Sequence, residues 1–181
     1  MCRQSAADLT YLLETSMTAT ISRSSVILNA ARALAAKLQL AIPIDRAALS
    51  QAMTASAGGS DAAGAWTQRE SFEALEVALA WAIPVLIGQM DAGTAIATLE
   101  ALAKELPTHT VRSEDQIAFQ QFSTPPALAC LAVHLARLAS YDVLLEPSAG
   151  TGTIASLAKG EVRQCLLTEL DPTRAALLEG L

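Results

Sequence analysis

The residues of this chain best suited to chemistry fall between positions 146 and 169: two glycines, Gly150 and Gly152, and two acids, Glu146 and Glu169. The glycines lie in Pro147-Ser148-Ala149-Gly150-Thr151-Gly152, where missing side chains let a ligand approach the backbone and the following helix presents unpaired N–H groups. Glu169 falls at the end of the next predicted strand, the place from which an acid accepts both hydroxyls of a ribose. Together they point to a nucleoside-containing cofactor, whereas Gly-x-Gly alone is equally a structural turn. The loop has no Gly-Lys-Ser/Thr, so the phosphate-gripping lysine of a P-loop is missing. Position 155 is alanine, which replaces the third glycine in some dinucleotide loops and leaves a nicotinamide or flavin reading open. Glu146 argues against that reading, because a carboxylate beside a pyrophosphate repels it, while one beside a cationic amino or sulfonium group attracts it.

Other reactive side chains form no constellation. His109 follows Pro107 and Thr108 in a predicted loop, and His134 lies on a helix beside the apolar face of Leu128, Leu131, Leu135 and Leu138. Neither has the partners a zinc site or a nucleophile–base pair requires. Cys2, Cys130 and Cys165 are too few and too scattered for a disulfide framework or a Cys-x-x-Cys site, so no metal centre is expected and a reducing compartment is implied.

The elements that must position the loop follow from periodicity. Ser123 or Thr124 caps a helix running to about Ser140, with proline tolerated in its first turn. A strand over 142–146, the loop, a helix over 153–159, a second strand over 162–168 and a helix over 173–178 make a βαβ unit with parallel strands. Ahead of it lies an alanine-rich helical region. Leu9, Leu12 and Leu13 mark a first helix; Ile27, Ala31, Leu34 and Leu38 mark a second, capped by Ser24 or Ser25. Asp45 caps a third, which the run Ala57-Gly58-Gly59 ends. Thr67 with Glu70 forms a capping box for a helix bearing Phe72, Leu75, Leu79 and Ile83, which Pro84 is expected to kink or divide. Ile96, Leu99, Leu102 and Leu106 form a last stripe.

Composition limits what such a chain can do. With 181 residues, 52% hydrophobic and 17% charged, it has the material for one compact core and is no disordered polymer. Its 12 basic against 18 acidic residues give a net charge of −6, with no basic cluster to neutralise several phosphates, so an autonomous nucleic-acid binder is excluded. Arg3 is followed by Gln4, Ser5 and Asp8 instead of an apolar run, and no stretch of about 18 apolar residues occurs, so neither a secretory leader nor a membrane span is expected and the location is read as cytoplasmic.

Three segments in order, Gln121-Phe122-Ser123-Thr124-Pro125-Pro126, Leu145-Glu146-Pro147-Ser148-Ala149-Gly150-Thr151-Gly152 and Thr168-Glu169-Leu170-Asp171-Pro172, resemble the opening of class I S-adenosylmethionine-dependent DNA N6-adenine methyltransferases. More narrowly they are similar to the methylase-like region of phage and plasmid methylase/helicase proteins related to the strawberry notch family. The resemblance covers residues 118–181 and implies a partial methyltransferase domain there, the first βαβ portion of a Rossmann-like α/β fold, apparently truncated, after a helical region over 1–117. It implies S-adenosylmethionine as cofactor. Phe122, Thr124 and Pro125 would close over its methionine part, Glu146, Pro147, Ala149, Gly150 and Gly152 would surround methionine and ribose, Glu169 would bind the ribose hydroxyls, and Leu170 would pack near the adenine. DNA would be the partner of a complete parent protein.

No catalytic residue is expected in this chain. Adenine N6 methylation needs Asn or Asp followed by Pro-Pro and an aromatic, to hold a flipped base and accept from its amino group. Here Pro125-Pro126 is followed by Ala127, and Asp171-Pro172 by Thr173. The reading is therefore an S-adenosylmethionine-binding portion that does not methylate DNA by itself. The competing reading, from a different class, is a helical protein-interaction module that keeps a degenerate methyltransferase half-fold for packing.

Overall fold

The computed structural model describes residues 6–108 and 123–181, with side chains from residue 23 onward. The chain begins with one long helix, α1 (Ala6–Gln39). The two expected N-terminal helices are thus continuous, and Ser24, expected as a cap, is a buried residue inside α1. Ser24 and Ser25 lie within α1 and not at its start, and the buried stripe that follows them holds the helix against α3. Ile27, Ala30, Ala31, Leu34, Ala35 and Leu38 form its buried stripe at steps of three and four residues. Ala41 closes it at φ 53, with the Ile42 N–H returning to the Lys37 carbonyl at 2.9 Å.

Next, α2 (Arg46–Ala57) is capped by Asp45, whose carboxylate accepts the Ala48 N–H, and ends at Gly58 in the left-handed region. In α3 (Gln68–Ile87) the Thr67/Glu70 capping box is complete. This helix buries residues around most of its circumference, which makes it the central one, packed on α1 and α2. Pro84 lies inside α3 and does not divide it. A proline costs an internal donor, but Leu79, Ala82 and Ile83 are buried just ahead of it and hold the backbone helical. In α4 (Ala92–Glu105), capped by Asp91, Leu99 is fully buried, and Ile96, Leu102 and Leu106 pack partly buried against the core.

The segment after the undescribed stretch carries α5 (Pro126–Ala136), packed on α4. Its N-cap is Pro125, with no side-chain capping bond, so neither Ser123 nor Thr124 caps it as expected; it also stops short of Ser140, because Arg137 turns left-handed at φ 49. Then β1 (Val143–Glu146), α6 (Thr153–Ala158), β2 (Gln164–Leu167) and α7 (Pro172–Leu178) follow. The strands pair in parallel, Val143 with Gln164 through Glu146 with Leu167. β1 starts one residue later than expected because Asp142 is spent on a turn, exchanging bonds with Ala139 through both its N–H and its carboxylate. The described chain is therefore mixed α/β, mostly helical, with two parallel strands. Among the described residues no helix is long and apolar enough to cross a membrane.

Helices of the N-terminal region and of the βαβ unit share one apolar cluster running from Ile27 to Leu177. α6 packs on α3 and α5, and α7 on α1. The Trp81 indole N–H donates to the Gly180 carbonyl at 3.1 Å, with Arg32 stacked over the ring. Beside this apolar seam runs a polar one. Arg174 of α7, 3% exposed, donates through Nε to Glu73 Oε1 at 3.3 Å and lies 3.5 Å from Glu76 Oε2. Arg69 joins the same Glu73 at 3.0 Å and reaches Asp171 at 2.6 Å. Burial pushes the Glu73 carboxyl up, and the guanidinium groups of Arg69 and Arg174 pull against that shift.

Removing one partner from a buried ion pair strands the other charge. Arg174→Ala is expected to lower the unfolding free energy by about 3–5 kcal/mol in urea titrations. Arg23, whose pair with Glu70 is half exposed, should cost about 1 kcal/mol or less when replaced by alanine. Equal losses at the two positions would contradict the burial argument.

Candidate functional site

Glu146 ends β1 and points its carboxylate at the start of α6. That helix begins at Gly152 with no side-chain cap of its own, and the Ala155 N–H bonds the Glu146 carboxylate instead. Glu146 Oε2 is shut off from solvent and has no hydrogen-bond partner among the described residues. Burial raises the Glu146 pKa to about 7, with the Ala155 bond opposing the shift. The carboxyl is therefore poised between neutral and charged forms near neutrality. Ser123 Oγ is likewise buried and unpartnered among the described residues. Both side chains line one small recess of about 30 Å³, room for a single small group, together with Thr124, Ser148, Ala149, Gly150, Thr151, Thr153 and Ile154.

The loop over this recess is wired to its surroundings residue by residue. The Ala149 N–H donates to the Thr168 carbonyl at 2.9 Å and the Gly152 N–H to the Ala149 carbonyl at 2.8 Å. The Thr168 hydroxyl donates to the Pro147 carbonyl at 2.8 Å. Glu169 accepts the Gly150 N–H at 2.8 Å on one oxygen and the Asp171 N–H at 2.9 Å on the other. It thus clasps the loop after β1 to the turn before α7, and each carboxylate oxygen keeps a lone pair for an outside donor. Thr151 donates its hydroxyl to Glu76 Oε2 of α3 at 3.2 Å. Gly150 and Gly152 adopt φ of +56 and +84. At Gly152 the positive φ favours glycine, and a Cβ would also displace the side-chain ends of Leu181 and Leu178.

The expected site residues divide accordingly. Thr124, Glu146, Ala149 and Gly150 meet in the recess, and Glu169 adjoins it through the Gly150 amide. Pro125 caps α5 at the rim, Pro147 serves through its carbonyl, and Gly152 starts α6. Leu170 is 77% exposed and lies outside the recess. Phe122 lies outside the described residues. Sequence reading missed three contributors. Ser123 was assigned only to capping, yet its hydroxyl is buried beside Glu146; Thr151 was passed over between its glycines; Glu76 carried no signal, because its partner is distant in the chain. Among the described residues no group of three or more His, Cys, Asp or Glu is placed to hold a metal ion.

Comparison of the chain with protein-family models, with curated proteins and with solved structures finds no match.

The raised Glu146 pKa sets a sign. The folded state holds this proton more tightly than the unfolded chain, so the stability it contributes is present below the ordinary value of 4.5 and is lost as pH rises to about 7. Thermal unfolding midpoints of the native chain should therefore fall relative to those of Glu146→Gln between pH 5 and 7, with the difference constant above about 7.5. Parallel pH profiles for the two proteins would contradict the assignment.

Proposed function

We propose that the chain is an S-adenosylmethionine-binding module of the DNA N6-adenine methyltransferase type, without methyl-transfer activity of its own. The observation that carries this reading is the Glu146 carboxylate in the lining of the recess, one oxygen of which is shielded from solvent without a hydrogen-bond partner among the described residues, beside Ser123. A buried carboxylate lacking a counter-charge is costly, and a cationic amino group entering the recess relieves that cost by favouring the ionised form. The recess admits only such a head group, so the remainder of the ligand lies across the loop. There the Glu169 oxygens have lone pairs left for two vicinal hydroxyls, and exposed Leu170 offers an apolar surface to the adenine. The bound cofactor would supply an electrophilic methyl carbon on a sulfonium. The residues of this chain bind and orient it, and no Asn/Asp-Pro-Pro-aromatic segment is present to hold an acceptor base. The fit is consistent with a Rossmann-like half-fold in which ligands meet the carboxyl ends of parallel strands.

A second observation favours the interaction module. Leu128, Leu131 and Leu135 form an exposed apolar stripe on α5, and Val143, Leu145 and Leu166 leave one sheet face exposed. Contiguous apolar surface of this kind marks a contact site for another polypeptide.

Calorimetric titration of S-adenosylmethionine into the full chain tests the first reading. One-to-one binding is expected, weakened about tenfold by Glu169→Ala through loss of a charged hydrogen-bond acceptor. Affinity should rise with pH up to about 7 and then level, because the cation prefers the ionised Glu146, and Glu146→Gln should abolish that slope. No binding by folded protein would leave the interaction module as the better reading.

A further inference from the structure

The helical region ahead of the βαβ unit has no role in the ligand reading given so far, yet it grips the loop directly. The loop presents few handles. Gly150 and Gly152 carry no side chains and sit at positive φ, where the unconstrained chain has many alternatives. Thr151 between them is 3% exposed, and its hydroxyl donates to Glu76 Oε2 of α3 at 3.2 Å. That same oxygen lies 3.5 Å from Nη2 of Arg174. The Arg174 guanidinium, oriented by Glu73, in turn passes beneath Gly150, with Nη1 3.7 Å from where a Cβ would stand. Glu76 lines no part of the recess, so any effect it has on a ligand passes through the loop.

We infer that Glu76 is a positioning residue for the ligand site: through Thr151, and with Arg174 as a floor under Gly150, it holds the Gly150–Gly152 loop in binding shape and makes α3 part of the site. This inference rests on the reading of the recess and loop as an S-adenosylmethionine site. A loop held in place before the ligand arrives pays less ordering entropy on binding. The carboxylate is suited to the task because it is itself fixed by a guanidinium and accepts a charge-assisted hydrogen bond. The distance in sequence between Thr151 and Glu76, 75 positions, means that the geometry exists only when the helical region is folded against the βαβ unit.

The test is titration of S-adenosylmethionine into the full chain and into Glu76→Ala, Glu76→Gln, Thr151→Val and the Glu76→Ala/Thr151→Val double variant, with hydrogen exchange of the Gly150 and Gly152 amides in ligand-free protein. Glu76→Ala and Thr151→Val should each bind about five- to tenfold more weakly. The double variant should lose no more than the weaker-binding single one, since both remove the same bond. Glu76→Gln, which keeps an acceptor for Thr151, should recover most of the affinity, and Glu76→Ala should speed exchange at both glycines. A purely structural role would lower the thermal midpoint while leaving affinity and the glycine amides of the folded protein unchanged. Unchanged affinity in either single variant, or losses that add in the double, overturns the inference while leaving the ligand reading intact. Failure of the folded native chain to bind overturns the ligand reading and this inference with it. Should Glu76→Ala not fold, Thr151→Val decides through ligand-free exchange at the Gly150 and Gly152 amides: it leaves every ion pair of α3 in place, and because Thr151 also lines the recess, weaker binding without faster exchange overturns the inference.

Discussion

Arg174 is the residue on which the two halves of this molecule depend. A guanidinium cannot be deprotonated in the interior, so burying it requires fixed acids on more than one side. Glu73 and Glu76, one helical turn apart on α3, supply them, and Arg69 balances the second charge while reaching Asp171 at the start of α7. An apolar seam alone tolerates sliding, whereas this lattice has one geometry in which every charge is paired. It therefore sets the register of α7, and with it the end of β2, against the helical region.

The dependence runs in both directions. Two short parallel strands with one exposed face do not make a stable sheet in water, so the βαβ unit draws its stability from α3, α1 and α5. In return, the unit covers the polar side of α3 and supplies Leu177 to the shared core. The glycine loop sits where these supports converge. Its backbone is held by Thr168 and Glu169 from the strand side and its one buried hydroxyl by Glu76 from the helix side. A loop with two residues at positive φ is thereby kept in one shape without forfeiting the open backbone a ligand needs.

Glu146 is the exception to this thorough pairing. Its carboxyl lies near the Ala155 N–H at the start of α6, and Oε2 is shielded from solvent without a hydrogen-bond partner among the described residues. Glu70 and Glu73, the other buried acids, are each paired with arginine, so Glu146 stands apart in meeting burial by a raised pKa instead of a counter-charge.

Local chemistry in the sequence determined much of this arrangement. The Thr67/Glu70 box, the Asp45 cap, the Gly58 stop, the parallel strand–loop–strand order and the placing of Glu146 and Glu169 around Gly150 all rest on interactions spanning a few residues or one strand's alternation, which spacing reveals. Where neighbours and packing compete, local signals fell short: Ser24 reads as a cap but lies within a continuous helix, and Pro84, which reads as a kink or a division, does not divide α3. Only the tertiary structure decided that Glu73 faces Arg174 across 101 positions, that Glu76 holds Thr151, and that Glu146 and Ser123 end up buried together. Charge and hydroxyl chemistry at such distances leaves no periodic trace, because it depends on which faces of two helices and a sheet are brought into contact.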